Sequence, residues 1–148
     1  MNDANLVLMD GTLDCTYANV VTAGYGTPTS TTRNAGGFAV IDLGVGGGPV
    51  TGLAAILELT EAAGGAGDEM TAIIEESTTE AFTVPHEIMK FDILAATKGV
   101  ILGSEAPATV VKRITPTMRY LRLKMTVSAG DDFKTVYCNV SPFPFKVT

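Results

Sequence analysis

The sequence has no tryptophan, one histidine and two cysteines among its 148 residues, and each shortage removes a class of chemistry. An imidazole-based metal centre needs three or four ligands, and a lone His86 cannot supply them. That argues against a cupin-like metal enzyme. His86 follows Pro85 and is expected to be a plain loop residue. No GxSxG elbow is present to build a Ser–His–Asp arrangement. Two cysteines are too few for a disulfide scaffold. Cys15 and Cys138 read as free thiols of a protein made in a reducing cytoplasm, with a single bridge between them left open. No stretch reaches 18 apolar residues, so no membrane span is expected. Met1 to Leu8 lacks a basic n-region, which argues against a signal peptide.

Positive charge is also scarce. Ten Lys and Arg stand against 16 Asp and Glu, for a net charge of −6. Binding to a nucleic-acid backbone needs a clustered basic surface, so no nucleic-acid partner is expected. The one basic cluster is Lys112, Arg113, Arg119, Arg122 and Lys124. It reads either as a patch for an acidic partner or as the solvated faces of two strands. With no Trp and only four Tyr, the chain is poor in aromatic platforms on which sugars stack.

The carboxylates and glycines carry no catalytic signature. Glu75 and Glu76 are adjacent, so a strand sends them to opposite faces and they cannot form a glycosidase pair. Gly44–Gly48 (GVGGG) lacks the Lys-Ser/Thr and the following helix of a phosphate loop, and reads as a turn. Asp131 and Asp132 after Gly130 read as turn chemistry; a metal site there needs more oxygen ligands than the sequence places nearby. No cofactor, metal or catalytic residue is expected.

What remains is a chain of single-domain length spanning residues 1–148, with 46% hydrophobic residues and a core resting on Val, Leu, Ile, Met and Ala. Short apolar runs lie between glycine clusters at 36–37, 44–48 and 64–67, which predicts an all-β sandwich or barrel. Arg119–Ser128 (RYLRLKMTVS) is the clearest strand: Leu121, Leu123, Met125 and Val127 share one face, Tyr120, Arg122, Lys124 and Thr126 the other. Lys134–Val140 alternates likewise, so Arg119–Val140 is expected to form a β-hairpin about the acidic turn. Further strands are expected at Phe38–Leu43, Met70–Ser77, Ile88–Leu94, Val100–Leu102 and Thr109–Ile114, with Leu13–Val21 less clear-cut. Leu53–Ala63 has the Ala, Leu and Glu content of a helix. Its alternation of Leu53, Ala55, Leu57 and Leu59, and the all-β surroundings, favour a strand. The total is about eight strands. Thr27–Arg33 reads as a loop or mobile arm, and Pro142–Val147 as an extended tail.

The order NLVLMD, IDLG (Ile41–Gly44), LTEA (Leu59–Ala62), a strand ending at Glu76–Thr78, PHEIMKF (Pro85–Phe91) and RYLRLKMTVS (Arg119–Ser128) spans nearly the whole chain. It resembles the capsid cement (decoration) proteins of short-tailed bacteriophages, the type named for the cement protein of a Bordetella phage. The acidic turn at Gly130–Asp132 and the SPFPFKV tail differ from that pattern. The resemblance implies a jelly-roll-like antiparallel β-sandwich on the capsid exterior. It implies the phage major capsid protein and further copies of the chain, as dimer or trimer, for partners. Loops, tails, aromatics and Arg usually carry recognition. The candidate interface residues are therefore Tyr25 and Arg33 in the arm, Tyr120, Arg122 and Lys124 on one strand face, and Phe143 and Phe145 in the tail. A carbohydrate- or protein-binding jelly-roll module of a phage head or tail is the competing reading.

Overall fold

In the computed structural model, residues 6–11, 15–16, 40–48, 52–60, 68–91, 94–95, 101–102 and 108–142 are described. The expectations for the arm at Thr27–Arg33 and the tail beyond Pro142 lie outside them.

Period-two alternation is the local rule from which the sheets are built. Leu121, Leu123, Met125 and Val127 are all buried, while Lys124 and Thr126 between them are exposed. Among the described residues the strands are β1 (Val7–Asp10), β2 (Val40–Asp42), β3 (Leu53–Leu59), β4 (Glu69–Ser77) and β5 (His86–Lys90). They continue with β6 (Leu94–Ala95), β7 (Ile101–Leu102), β8 (Ala108–Ile114), β9 (Tyr120–Val127) and β10 (Val136–Pro142). No α-helix occurs among the described residues.

The segment with helical composition is strand β3. It is central in its sheet, with β10 along one side and β8 along the other over its whole length. Leu53, Ala55, Leu57 and Leu59 face inward and are buried. Ladder bonds on both sides and a buried apolar row outweigh the few tenths of a kcal/mol per residue by which intrinsic propensity separates these residue types.

The strands form two sheets packed as a sandwich. The first runs β1-β10-β3-β8 and is antiparallel throughout. The second runs β2-β9-β4, with β5 and β6 both along the far side of β4 and β7 parallel to β6. This order is compatible with a jelly-roll winding, in which two Greek keys wrap a pair of sheets. Val136, Cys138 and Val140 of the first sheet and Met70, Ala72, Ile74, Leu121 and Leu123 of the second belong to one buried cluster.

The expected hairpin between β9 and β10 does not form. Strand β9 pairs with β2 and β4, whereas β10 pairs with β1 and β3 in the other sheet. The turn itself is present, with the Asp131 amide donating to the Ser128 carbonyl at 3.0 Å. Beyond it the chain crosses between sheets. Buried Phe133 plugs the crossing, its amide donating to Cys15 O at 3.0 Å while the Cys15 amide donates to Lys134 O at 2.8 Å. Alternation states which side chains point inward but not which strand lies alongside. Two apolar rows can share a sheet or face each other across the core, and here they face.

Both cysteines are free and buried, which settles the bridge that the sequence left open. Cys15 Sγ lies 3.4 Å from Met70 Sδ, and burial pushes the Cys138 thiol up.

Gly52, immediately before β3, has φ +81°, and a Cβ there would lie 2.7 Å from the Ile114 carbonyl oxygen. Gly130, at φ +94°, has nothing within 4 Å of that position. Gly52→Ala is therefore expected to lose about 2–4 kcal/mol from backbone strain plus overlap, and Gly130→Ala only about 1–2 kcal/mol from strain. Urea unfolding of the two variants checks the difference.

Candidate docking surface

The register brings one set of connections to a single end of the sandwich. Asp42 ends β2 opposite Tyr120, and Ser77 ends β4 opposite the same residue. Leu53 starts β3 opposite both Ile114 and Pro142. The connections 43–48, 78–85 and 115–119 therefore emerge together, and β10 also ends there.

A buried carboxylate ties one of these connections, 115–119, to the sheet and also reaches the start of β5. Glu76, at the end of β4, accepts from the Thr117 amide (2.7 Å), the Met118 amide (3.0 Å) and the Thr117 hydroxyl (3.0 Å). His86 Nδ1 lies 3.3 Å from Glu76 Oε1. His86 is thus not a plain loop residue; it opens β5 and leans on Glu76. Burial raises the Glu76 pKa, but the donors of Met118, Thr117 and His86 outweigh it and hold the carboxyl below its ordinary range.

The connection 43–48 is held to 115–119 by an exposed ion pair. Arg119 Nε and Nη2 donate to Asp42 Oδ1 and Oδ2 at 2.8 and 2.7 Å, a bidentate fork. Asp42 Oδ1 also accepts from the Gly44 amide at 2.8 Å, which starts the glycine turn. These bonds to Arg119 and Gly44 lower the Asp42 pKa to about 2. Gly47 approaches the Thr117 backbone so closely that a Cβ would lie 2.7 Å from it, and the Gly48 amide donates to Pro116 O at 3.2 Å. The connections 43–48 and 115–119 are thereby joined. From this end of the sandwich two apolar side chains project into solvent: Val45, 96% exposed, and Val84, 78% exposed.

The structure divides the predicted strand face. Tyr120 is half-buried beneath Arg119, whose guanidinium lies 4.9 Å from its ring centroid. Lys124 is exposed. Arg122 is only 4% exposed. Its Nη2 and Nε lie 2.6 and 2.7 Å from Glu75 Oε2, and Lys124 Nζ lies 3.7 Å from Glu75 Oε1. The Phe82 ring covers the Arg122 guanidinium at 4.4 Å. Phe82 takes φ +50° to do so, at a cost of about 1–2 kcal/mol that ring burial and cation–π attraction offset. Arg122 is thus occupied within the chain, between Glu75 and Phe82. Tyr25, Arg33, Phe143 and Phe145 lie outside the described residues.

Asp42 and Phe82 were not singled out from sequence, and Glu76 and Arg119 were read only as half of a rejected carboxylate pair and as part of a basic cluster. Their partners are long-range, at separations of 40 to 77 residues, and no local pattern encodes them. Val45 had a signal, an apolar residue flanked by glycines.

At the opposite end the acidic residues serve the backbone. Asp131 Oδ2 accepts from the Glu69 amide (2.9 Å), Asp68 Oδ2 from the Asp132 amide (3.1 Å) and Asp132 Oδ1 from the Lys134 amide (2.8 Å). The Asp132–Lys134 bond, two residues apart, is the local turn chemistry expected, whereas the Asp131 side chain ties the turn to β4. Among the described residues no three His, Cys, Asp or Glu are grouped so as to hold a metal ion. Comparison with protein-family models gives no match, and neither does comparison with curated proteins.

Carboxyls held below their unfolded pKa stabilise the fold above that value and lose the contribution as pH falls through the folded one. Starting from ordinary values of 4.5 for Glu76 and 3.8 for Asp42, stability should hold from neutral pH to about pH 5 and fall progressively towards pH 2. Glu76→Gln, which turns an amide donor towards donors, should lose about 1–3 kcal/mol at pH 7 and flatten the upper part of that acid slope. Urea midpoints measured from pH 7 to pH 2 check both.

Proposed function

We propose that this chain is a virion structural protein, a cement or decoration protein that binds the outer surface of a phage major capsid protein shell. In this reading it stabilises the joints between capsomers and works as several copies. The observation that carries the binding role is the braced end of the sandwich. Val45 stands exposed on the connection held by the Asp42–Arg119 pair, and Val84 on the connection whose Thr79 amide donates to Ser77 Oγ and whose Phe82 ring covers Arg122. Apolar groups presented on a preordered frame lose little conformational entropy on docking, so their burial counts more fully towards affinity. The choice of shell as partner rests on the resemblance carried by PHEIMKF and RYLRLKMTVS and the motifs before them. Weak docking by each copy suffices, because copies spanning neighbouring sites gain effective concentration. A net charge of −6 also disfavours association with packaged DNA.

The test is co-sedimentation with phage capsids lacking this protein. The wild-type chain should pellet with the capsids. Val45→Asp/Val84→Asp should weaken binding at least tenfold, about 1.4 kcal/mol, with an unchanged thermal midpoint. A chain that stays in the supernatant at every salt and protein concentration tried contradicts the reading.

A further inference from the structure

The connection 78–85 differs from the two beside it in how it is held. Its hydrogen bonds are local: the Thr79 amide donates to Ser77 Oγ at 3.1 Å, the Phe82 amide to the Thr79 carbonyl at 3.0 Å and the Thr83 amide to Thr79 Oγ1 at 3.5 Å. Residues 78–81 and 83–85 are exposed, whereas Phe82 between them is only 4% exposed. Its ring is seated on the Arg122 guanidinium, which is itself buried and paired with Glu75. Attraction between a cation and a ring is strongest where the cation is out of water. The backbone gives way to make this seat: φ of Phe82 is +50°, a conformation that bulky residues rarely adopt. Such a conformation persists only where surrounding contacts hold it.

We propose that Phe82 is a latch that positions Val84. Only Thr83, Val84 and Pro85 stand between Phe82 and the start of β5 at His86. Val84 precedes a proline, which confines its backbone to extended conformations, and Pro85 has its own φ fixed. With the ring seated, this short segment is held at both ends, and Val84, 78% exposed, is presented in one place. With the ring released, φ of Phe82 relaxes to negative values, the Arg122–Glu75 pair meets water, and Val84 moves with the freed connection. Docking through Val84 draws on the seated state alone, so a bound partner and the Phe82–Arg122 contact stabilise one another. Arg122 thereby serves the docking end without reaching the surface, acting through Phe82 and Val84. What Val84 meets rests on the shell reading; the latch is a property of the chain by itself.

Amide order parameters from NMR relaxation of the purified chain test the latch. In the wild type, amides 79–84 should be nearly as ordered as those of β4 and β9, at about 0.8 or higher. Phe82→Ala should lower those of 80–84 below about 0.6 and leave 43–48 and 115–119 unchanged. Phe82→Leu, which keeps an apolar side chain without the ring, should fall between, and it decides the question if thermal unfolding shows that Phe82→Ala does not fold. Co-sedimentation with capsids reads the consequence. Phe82→Ala should weaken binding about as much as Val84→Ala, by about threefold or more. It should add less than about twofold to Val84→Ala while keeping its full effect on Val45→Ala. Order parameters at 80–84 that are already low in the wild type, or that neither substitution changes, overturn the latch. Order lost in the variants with capsid binding intact overturns its role in positioning Val84 for docking. A wild-type chain that does not pellet contradicts the shell reading, and the order parameters still decide the latch.

Discussion

Two rows of alternating apolar side chains must face each other, and the rest of the molecule is arranged to keep them there. The row Leu121, Leu123, Met125 and Val127 lies in one sheet, and Val136, Cys138 and Val140 in the other. The chain joins these rows by crossing between sheets, and Phe133 fills the crossing. A hairpin would have left both rows on one face of one sheet, with nothing of comparable area opposite. Burial favours the crossing even though it forgoes the ladder between β9 and β10.

The two ends of the sandwich use polar groups differently. At the end bearing the acidic turn, carboxylates accept from backbone amides and fix the crossing. At the other end, Glu76 and Asp42 gather donors from connections distant in sequence and fix a surface. Neither end leaves a buried polar side-chain atom without a partner among the described residues, as expected where each buried polar group would otherwise cost about 1–3 kcal/mol. The same economy explains Arg122. It occupies an outward position of β9, yet Glu75 from the neighbouring strand and Phe82 from the connection above it remove it from solvent.

How far the fold could be read depended on whether the signal was local. The alternation in β9 was legible because inward and outward positions differ in chemistry, and in β3 it prevailed over composition because both neighbours pair fully. Strand partners were not legible, and the hairpin expected at Arg119–Val140 is the result. The site was less legible still. Tyr120, Arg122 and Lys124 read as one polar face, but the register opposes Arg122 to Glu75, 47 residues away, and a phenylalanine at positive φ covers it. His86 read as a loop residue because its contact, Glu76, lies across a strand pairing.

Under the function proposed above, the end of the sandwich bearing Val45 and Val84 is the part that meets the partner. The most direct test is cryo-electron microscopy of capsids reconstituted with this chain. The account predicts density for the sandwich over capsomer joints, with the connections at 43–48, 78–85 and 115–119 turned towards the shell. Attachment through a sheet face or the acidic-turn end, or no regular density at all, would contradict it.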